Sequence, residues 1–140
     1  MLNTMGKFEN TCRLLLIDDE EPMRLLLAQF IRQDLRAEIT LAGTCEAALR
    51  LAGQNTYDVI LLDLLMPGMG GFELLSRIRT NSPNKSTPVV VVSRLARSSV
   101  GGEAVSVERA AALGADAVVS KPVRRRALVA AIKAQLRASV

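Results

Sequence analysis

Histidine is absent from this chain of 140 residues, and cysteine occurs only twice. With no imidazole and two thiols, there is little from which to build a zinc site. Cys12 precedes the first apolar run and Cys45 follows the second. That spacing places them near opposite ends of a sheet, beyond disulfide reach, and predicts two buried or partly buried thiols. Aromatic residues make up 3% of the chain and tryptophan is missing. The stacking platforms that hold single-stranded nucleic acid therefore have no material. A net charge of +4 permits contact with nucleic acid, but it reads better as a solvated basic surface. Long hydrophobic runs are lacking too, and none approaches the roughly 20 residues of a membrane-spanning helix. Met1 to Thr11 carries one lysine and no apolar core. A signal peptide is not expected there, and the expected location is cytoplasmic.

What is present is a series of short apolar runs, each ending on a polar residue. Leu14-Leu15-Leu16-Ile17 runs into Asp18-Asp19, and Val59-Ile60-Leu61-Leu62 into Asp63. Val89-Val90-Val91-Val92 runs into Ser93, and Ala117-Val118-Val119 through Ser120 into Lys121-Pro122. Runs this short and β-branched, set between helical stretches, read as buried parallel strands. Strands are expected at Arg13–Ile17, Glu38–Ala42, Asp58–Leu62, Pro88–Val92 and Asp116–Ser120. Helices are expected at Pro22–Leu35, Thr44–Ala52, Gly71–Thr80, Gly102–Leu113 and Val123–Ala138. Pro22 suits a first turn, Thr44 an N-cap, and Gly53 and Gly114 helix ends. Strand 2 alternates polar and apolar residues, as an edge strand does. The pattern predicts an α/β domain: a (βα)5 doubly wound, five-stranded parallel sheet of order 2-1-3-4-5. Residues 1–11 are expected to be a flexible N-terminal segment, and residues 12–140 one domain.

Ligands of an open parallel sheet bind at the carboxyl ends of its strands. Asp18, Asp19, Asp63, Ser93 and Lys121 should therefore meet on one edge. Three carboxylates so close disfavour ionisation unless cations compensate them. Lys121 supplies one charge, and oxygen donors at an open edge suit Mg²⁺. A plainer role for Asp19 or Glu20 is to cap the first helix. Asp63 precedes a loop, Leu64-Leu65-Met66-Pro67-Gly68, that should leave its carboxylate exposed. A carboxylate can attack phosphorus to give an aspartyl phosphate. Ser93 and Lys121 could then bind phosphoryl oxygens.

From about Arg13 to Ala138 the chain resembles a two-component response-regulator receiver domain of the CheY-like, single-domain kind. The matching pieces are Leu16-Ile17-Asp18-Asp19-Glu20, Asp63 to Gly71, Pro88 to Ser93, Gly114-Ala115-Asp116 and Ser120-Lys121-Pro122. The resemblance implies that Asp63 is the phosphoacceptor. It implies that Asp18, Asp19, Asp63 and the backbone carbonyl of Leu65 hold Mg²⁺. Ser93 matches the switch hydroxyl, Lys121 the phosphate-pairing lysine, and Lys121–Pro122 a bond usually cis in the family. The implied donor is a phosphohistidine on a sensor histidine kinase or phosphotransfer protein, because this chain has no histidine. The implied readout is binding of a downstream protein target.

The chain departs from the family at three places. Val118 stands three residues before the lysine, where an aromatic ring usually reports phosphorylation. Arg94 follows the switch hydroxyl, where a small residue is usual, and either shields the acyl phosphate or points to solvent. The stretch from Ser93 to Lys121 is long, and a Gly/Ser-rich insertion over Arg94–Glu103 reads as a mobile loop. Arg124-Arg125-Arg126 opposes the dipole at the start of the last helix, as a solvated patch or a docking patch for an acidic partner.

The expectation is thus a stand-alone phosphoacceptor rather than an enzyme, with slow self-dephosphorylation. It is a monomer or weak dimer, with neither membrane nor nucleic acid as partner. A phosphoryl group would pull Ser93 inward and shift the loop that follows it. Two readings stand beside this one: a phosphorylation-independent interaction module, and the receiver piece of a longer regulator. A haloacid-dehalogenase-like phosphatase would carry Asp two residues past the nucleophile, where this chain has Leu65.

Overall fold

A parallel strand covered on both faces must be apolar along its covered length, and the three central strands meet that demand apart from Arg13 and Ser93 near their ends. In the computed structural model, which describes residues 11–94 and 106–138, the strands are β1 (Cys12–Ile17), β2 (Ala37–Ala42), β3 (Val59–Leu62), β4 (Val89–Ser93) and β5 (Ala117–Ser120). Every residue of β3 and β4 is buried. The helices are α1 (Glu21–Asp34), α2 (Cys45–Gln54), α3 (Gly71–Asn81), α4 (Val107–Ala112) and α5 (Arg125–Ala138). All strand pairs are parallel, in the order β2-β1-β3-β4-β5, as the alternation of elements predicts. This is the doubly wound fold of the flavodoxin and CheY type.

Alternate residues of the strands feed two cores. Leu15, Ile17, Ile60, Leu62, Val89 and Val91 pack with Ala48, Leu74 and Ala110 of α2, α3 and α4. Leu14, Leu16, Val59, Leu61, Val90 and Val92 pack with Leu27, Ile31, Leu128 and Ile132 of α1 and α5. Both thiols are free and buried, as expected.

The register brings the carboxyl ends level. Ile17 pairs with Leu62, Leu62 with Val91, and Ser93 with Ser120. Backbone bonds extend the ladder past the strands, from Asp63 N to Ile17 O at 3.0 Å and from Lys121 N to Ser93 O at 3.0 Å.

Several element ends differ from expectation. Thr44 does cap α2, its Oγ1 accepting from Ala47 N at 3.0 Å. Gly53 does not end it; the helix runs to Gln54, and Asn55 closes it with both its N–H and its side-chain amide on Leu51 O. Of the two residues considered for capping α1, Glu20 holds the cap position, without a side-chain capping bond. α5 begins at Arg125 rather than Val123, because its first helical bond runs from Leu128 N to Arg124 O. α4 begins at Val107 behind a Ser106 cap and ends before Gly114 at φ +106°. The expected helical stretch from Gly102 falls partly outside the described residues. So do residues 1–10 and all of the Arg94–Glu103 insertion except Arg94.

Candidate functional site

Each polar residue that ends an apolar run arrives at the same edge. Asp18 follows β1, Asp63 follows β3, Ser93 ends β4 and Lys121 follows β5. Lys121 Nζ donates to Asp18 Oδ2 and to Asp63 Oδ2, both at 2.9 Å. Asp63 Oδ1 accepts from Ser93 Oγ at 2.6 Å and from Leu65 N at 2.9 Å. Ser93 Oγ in turn accepts from Leu64 N at 2.9 Å. Asp18 Oδ1 accepts from Glu20 N at 2.9 Å. Asp19 is exposed beside them, and one carboxylate oxygen from each of Asp18, Asp19 and Asp63 lies within 4.8 Å of the others. A pocket of about 500 Å³ opens over the group, lined by Asp19, Glu20, Asp63, Leu65, Arg94, Lys121 and Pro122. The Lys121–Pro122 bond is cis.

The charges do not balance. Burial pushes the Asp18 carboxyl above its usual value of 3.8. The Glu20 N–H and Lys121 offset that only in part, and the nearby charge of Asp63 adds to it. Burial alone would lower the Lys121 ammonium, but the hydrogen bonds and charges of Asp63 and Asp18 outweigh it, and its pKa rises. One ammonium thus serves two buried carboxylates with a third at the rim. A site in this state gains from a further cation. Its donors are all oxygens, which fits Mg²⁺ and excludes the softer thiolate and imidazole metals.

The structure brings together five of the expected residues, and Leu65 and Arg94 line the same pocket. Val118 does not line it. That residue pairs with Val91 and sits half-buried against the α2–α3–α4 core. Two expectations need correcting. The Asp63 carboxylate is not exposed; its side chain is 7% accessible, because the loop folds back so that Gly71 N reaches Leu64 O. Ser93 is fully buried and bonded to Asp63. The arginine run is not a single solvated patch either, since Arg125 pairs with Asp34 of α1. Arg24 escaped notice in the sequence. Its Nη1 donates to Asp18 O at 2.7 Å, and its place one turn into the helix after the acidic pair was the available signal.

Known proteins share the sequence pattern and the fold. The response regulator receiver domain family matches residues 14–133. The sensory transduction protein RegX3 of Mycolicibacterium smegmatis is 37% identical over 124 residues, which is 89% of this chain and 50% of RegX3. The probable chemotaxis protein CheY of Rhizobium etli is 31% identical over 122 residues, 87% of this chain and 90% of that protein. Among solved structures, the receiver domain of Francisella response regulator 1452 superposes with a TM-score of 0.78 at 25% identity, covering 93% of this chain and all of that one. A CheY-like receiver protein of Methanospirillum hungatei does so at 0.77 and 26%, over 92% and 96%. The chain belongs to the response regulator receiver domain family of two-component signal transduction, a family of signalling phosphoacceptor domains. It spans about half the length of RegX3. Among the described residues, no helix is long and apolar enough to cross a membrane.

Proposed function

We propose that residues 12–140 are a receiver, working in the cytoplasm, that accepts a phosphoryl group on Asp63. The donor is a phosphohistidine of a sensor histidine kinase or phosphotransfer protein. The observation that carries this reading is the bridged pair: Asp63 and Asp18 share one ammonium, with a third carboxylate within 4.8 Å. Asp18, Asp19, Asp63 and the carbonyl of Leu65 would hold Mg²⁺. Bound there, the ion offsets charge on the transferring group.

The chain's own residues supply the rest. A carboxylate oxygen of Asp63 attacks phosphorus while the phosphorus–nitrogen bond to the donor imidazole breaks. The imidazole leaves with the electron pair and takes up a proton. Lys121 and Ser93 already donate to Asp63, so they are placed to pass those hydrogen bonds to the new phosphoryl oxygens. Ser93 ends β4, so a change in its bonding is felt first in the segment after it. That segment biases the binding of a downstream protein.

The test is beryllofluoride binding with and without Mg²⁺, read by two-dimensional amide NMR, with Asp63→Asn as control. Mg²⁺-dependent shifts at Asp63, Ser93 and Arg94 that vanish in the variant are expected. A protein that binds neither ion nor phosphate mimic would be an interaction module indifferent to phosphorylation.

A further inference from the structure

The acidic pair sits on a single peptide bond. The carbonyl of Asp18 belongs to the planar unit that links Asp18 to Asp19. Whatever grips that oxygen sets the plane, and with it the direction in which both side chains leave the backbone. Asp18 N–H is tied to Ala42 O of β2 at 3.1 Å. Asp18 O is tied to Arg24 Nη1 of α1 at 2.7 Å. Arg24 is half-buried, and its guanidinium lies against Gly43, just past the end of β2. A Cβ at Gly43 would come within 2.7 Å of Nη1 and 3.2 Å of Cζ. The bare backbone of Gly43 is therefore the seat of the guanidinium.

We propose that Arg24 is a positioning residue for the metal-binding pair, seated on Gly43 and acting through the Asp18 carbonyl. The proposal rests on the reading above that Asp18 and Asp19 bind Mg²⁺. The hydrogen bond goes to the backbone, and the groups that donate to the Asp18 carboxylate are Glu20 N and Lys121 Nζ. Arg24 therefore aims the ligands and does not replace a ligand. Lysine cannot repeat this, because it lacks the planar fork that spans carbonyl and glycine together.

The experiment measures Mg²⁺ affinity by calorimetry and Mn²⁺ affinity by electron paramagnetic resonance, with thermal unfolding in metal-free buffer alongside. Arg24→Ala should weaken binding about tenfold, the low end for groups that orient a metal ligand. Gly43→Ala should weaken it in the same direction, because the methyl displaces the guanidinium while leaving the charge in the chain. In the double variant the Gly43 change should add nothing. Arg24→Lys should recover only part of the affinity. Equal metal affinity in wild type and both single variants overturns the proposal. So does a fall in metal-free melting temperature with unchanged affinity, which marks Arg24 as structural only. If Arg24→Ala does not fold, Gly43→Ala decides alone, since only a flexible side-chain end must move. A wild-type protein that binds neither ion overturns the underlying metal reading instead, so the two failures are distinguishable.

Discussion

Replacing Lys121 with methionine tests how the acidic edge holds together. The side chain is 13% accessible and bridges carboxylates that are 1% and 7% accessible. Methionine keeps the length but removes the charge, and leaves two buried carboxylates side by side. Breaking one partner out of a buried pair costs about 3–5 kcal/mol. At roughly 3 °C per kcal/mol for a domain this size, melting should fall by about 9–15 °C. The loss depends on pH in a defined direction. Asp18 holds its proton more tightly in the fold than at its ordinary 3.8. From that value up to its raised one, the folded protein carries more protons than the unfolded, so stability falls as pH rises. Lys121 lowers the Asp18 pKa, so without it the window extends further upward. The deficit is therefore greatest from neutral pH up to the point where Lys121 itself gives up its proton, above its ordinary 10.5, and it shrinks on acidification. Mg²⁺ should stand in for the missing ammonium, and a hundredfold excess over Kd returns about 2.7 kcal/mol. Differential scanning calorimetry at pH 5 and 8, with and without Mg²⁺, reads all three effects. A variant as stable as wild type at pH 8 without metal would refute the argument.

Two further outcomes follow from the packing. Gly71→Ala puts a methyl 2.3 Å from Leu64 Cα and 2.6 Å from Leu64 O. Neither backbone atom can rotate away, so urea unfolding should show a loss of about 3 kcal/mol, at the top of the range for overpacking; a loss under about 1 kcal/mol would contradict the close approach. Burial, helped by the charge of Asp58, pushes the Cys12 thiol up to about 11. Iodoacetamide at pH 7.5 should therefore label native Cys12 far more slowly than the urea-unfolded chain, because only the thiolate reacts; equal rates would sink this.

Much of the protein was legible in one dimension. Continuous apolar runs of four residues, rich in β-branched side chains and set between helical stretches, read as strands covered on both faces, so β3, β4 and most of β1 could be read directly. The polar residue closing each run named the site, because parallel strands deliver their carboxyl ends to one edge. Helix ends were read less well. Gly53 looked like a stop, but Asn55 supplies two hydrogen bonds to Leu51 O and carries the helix past it. Such a choice depends on side-chain reach, which the order of residues does not encode.

The sequence by itself determined the strand order, the five residues of the acidic edge and the absence of any internal phosphohistidine. The order follows from alternating strands and helices with right-handed crossovers, the edge residues from the ends of the apolar runs, and the last from composition. Only the tertiary structure decided the state of the edge: that Asp63 is sheltered, that Ser93 is buried and bonded to Asp63, and that Lys121 is shared between two carboxylates. Only it revealed that Arg24, Gly43 and the Asp18 carbonyl meet, and that Arg125 is engaged by Asp34. These are contacts between elements distant in the chain. Their geometry is set by strand register and helix packing, quantities that exist only once the sheet has formed.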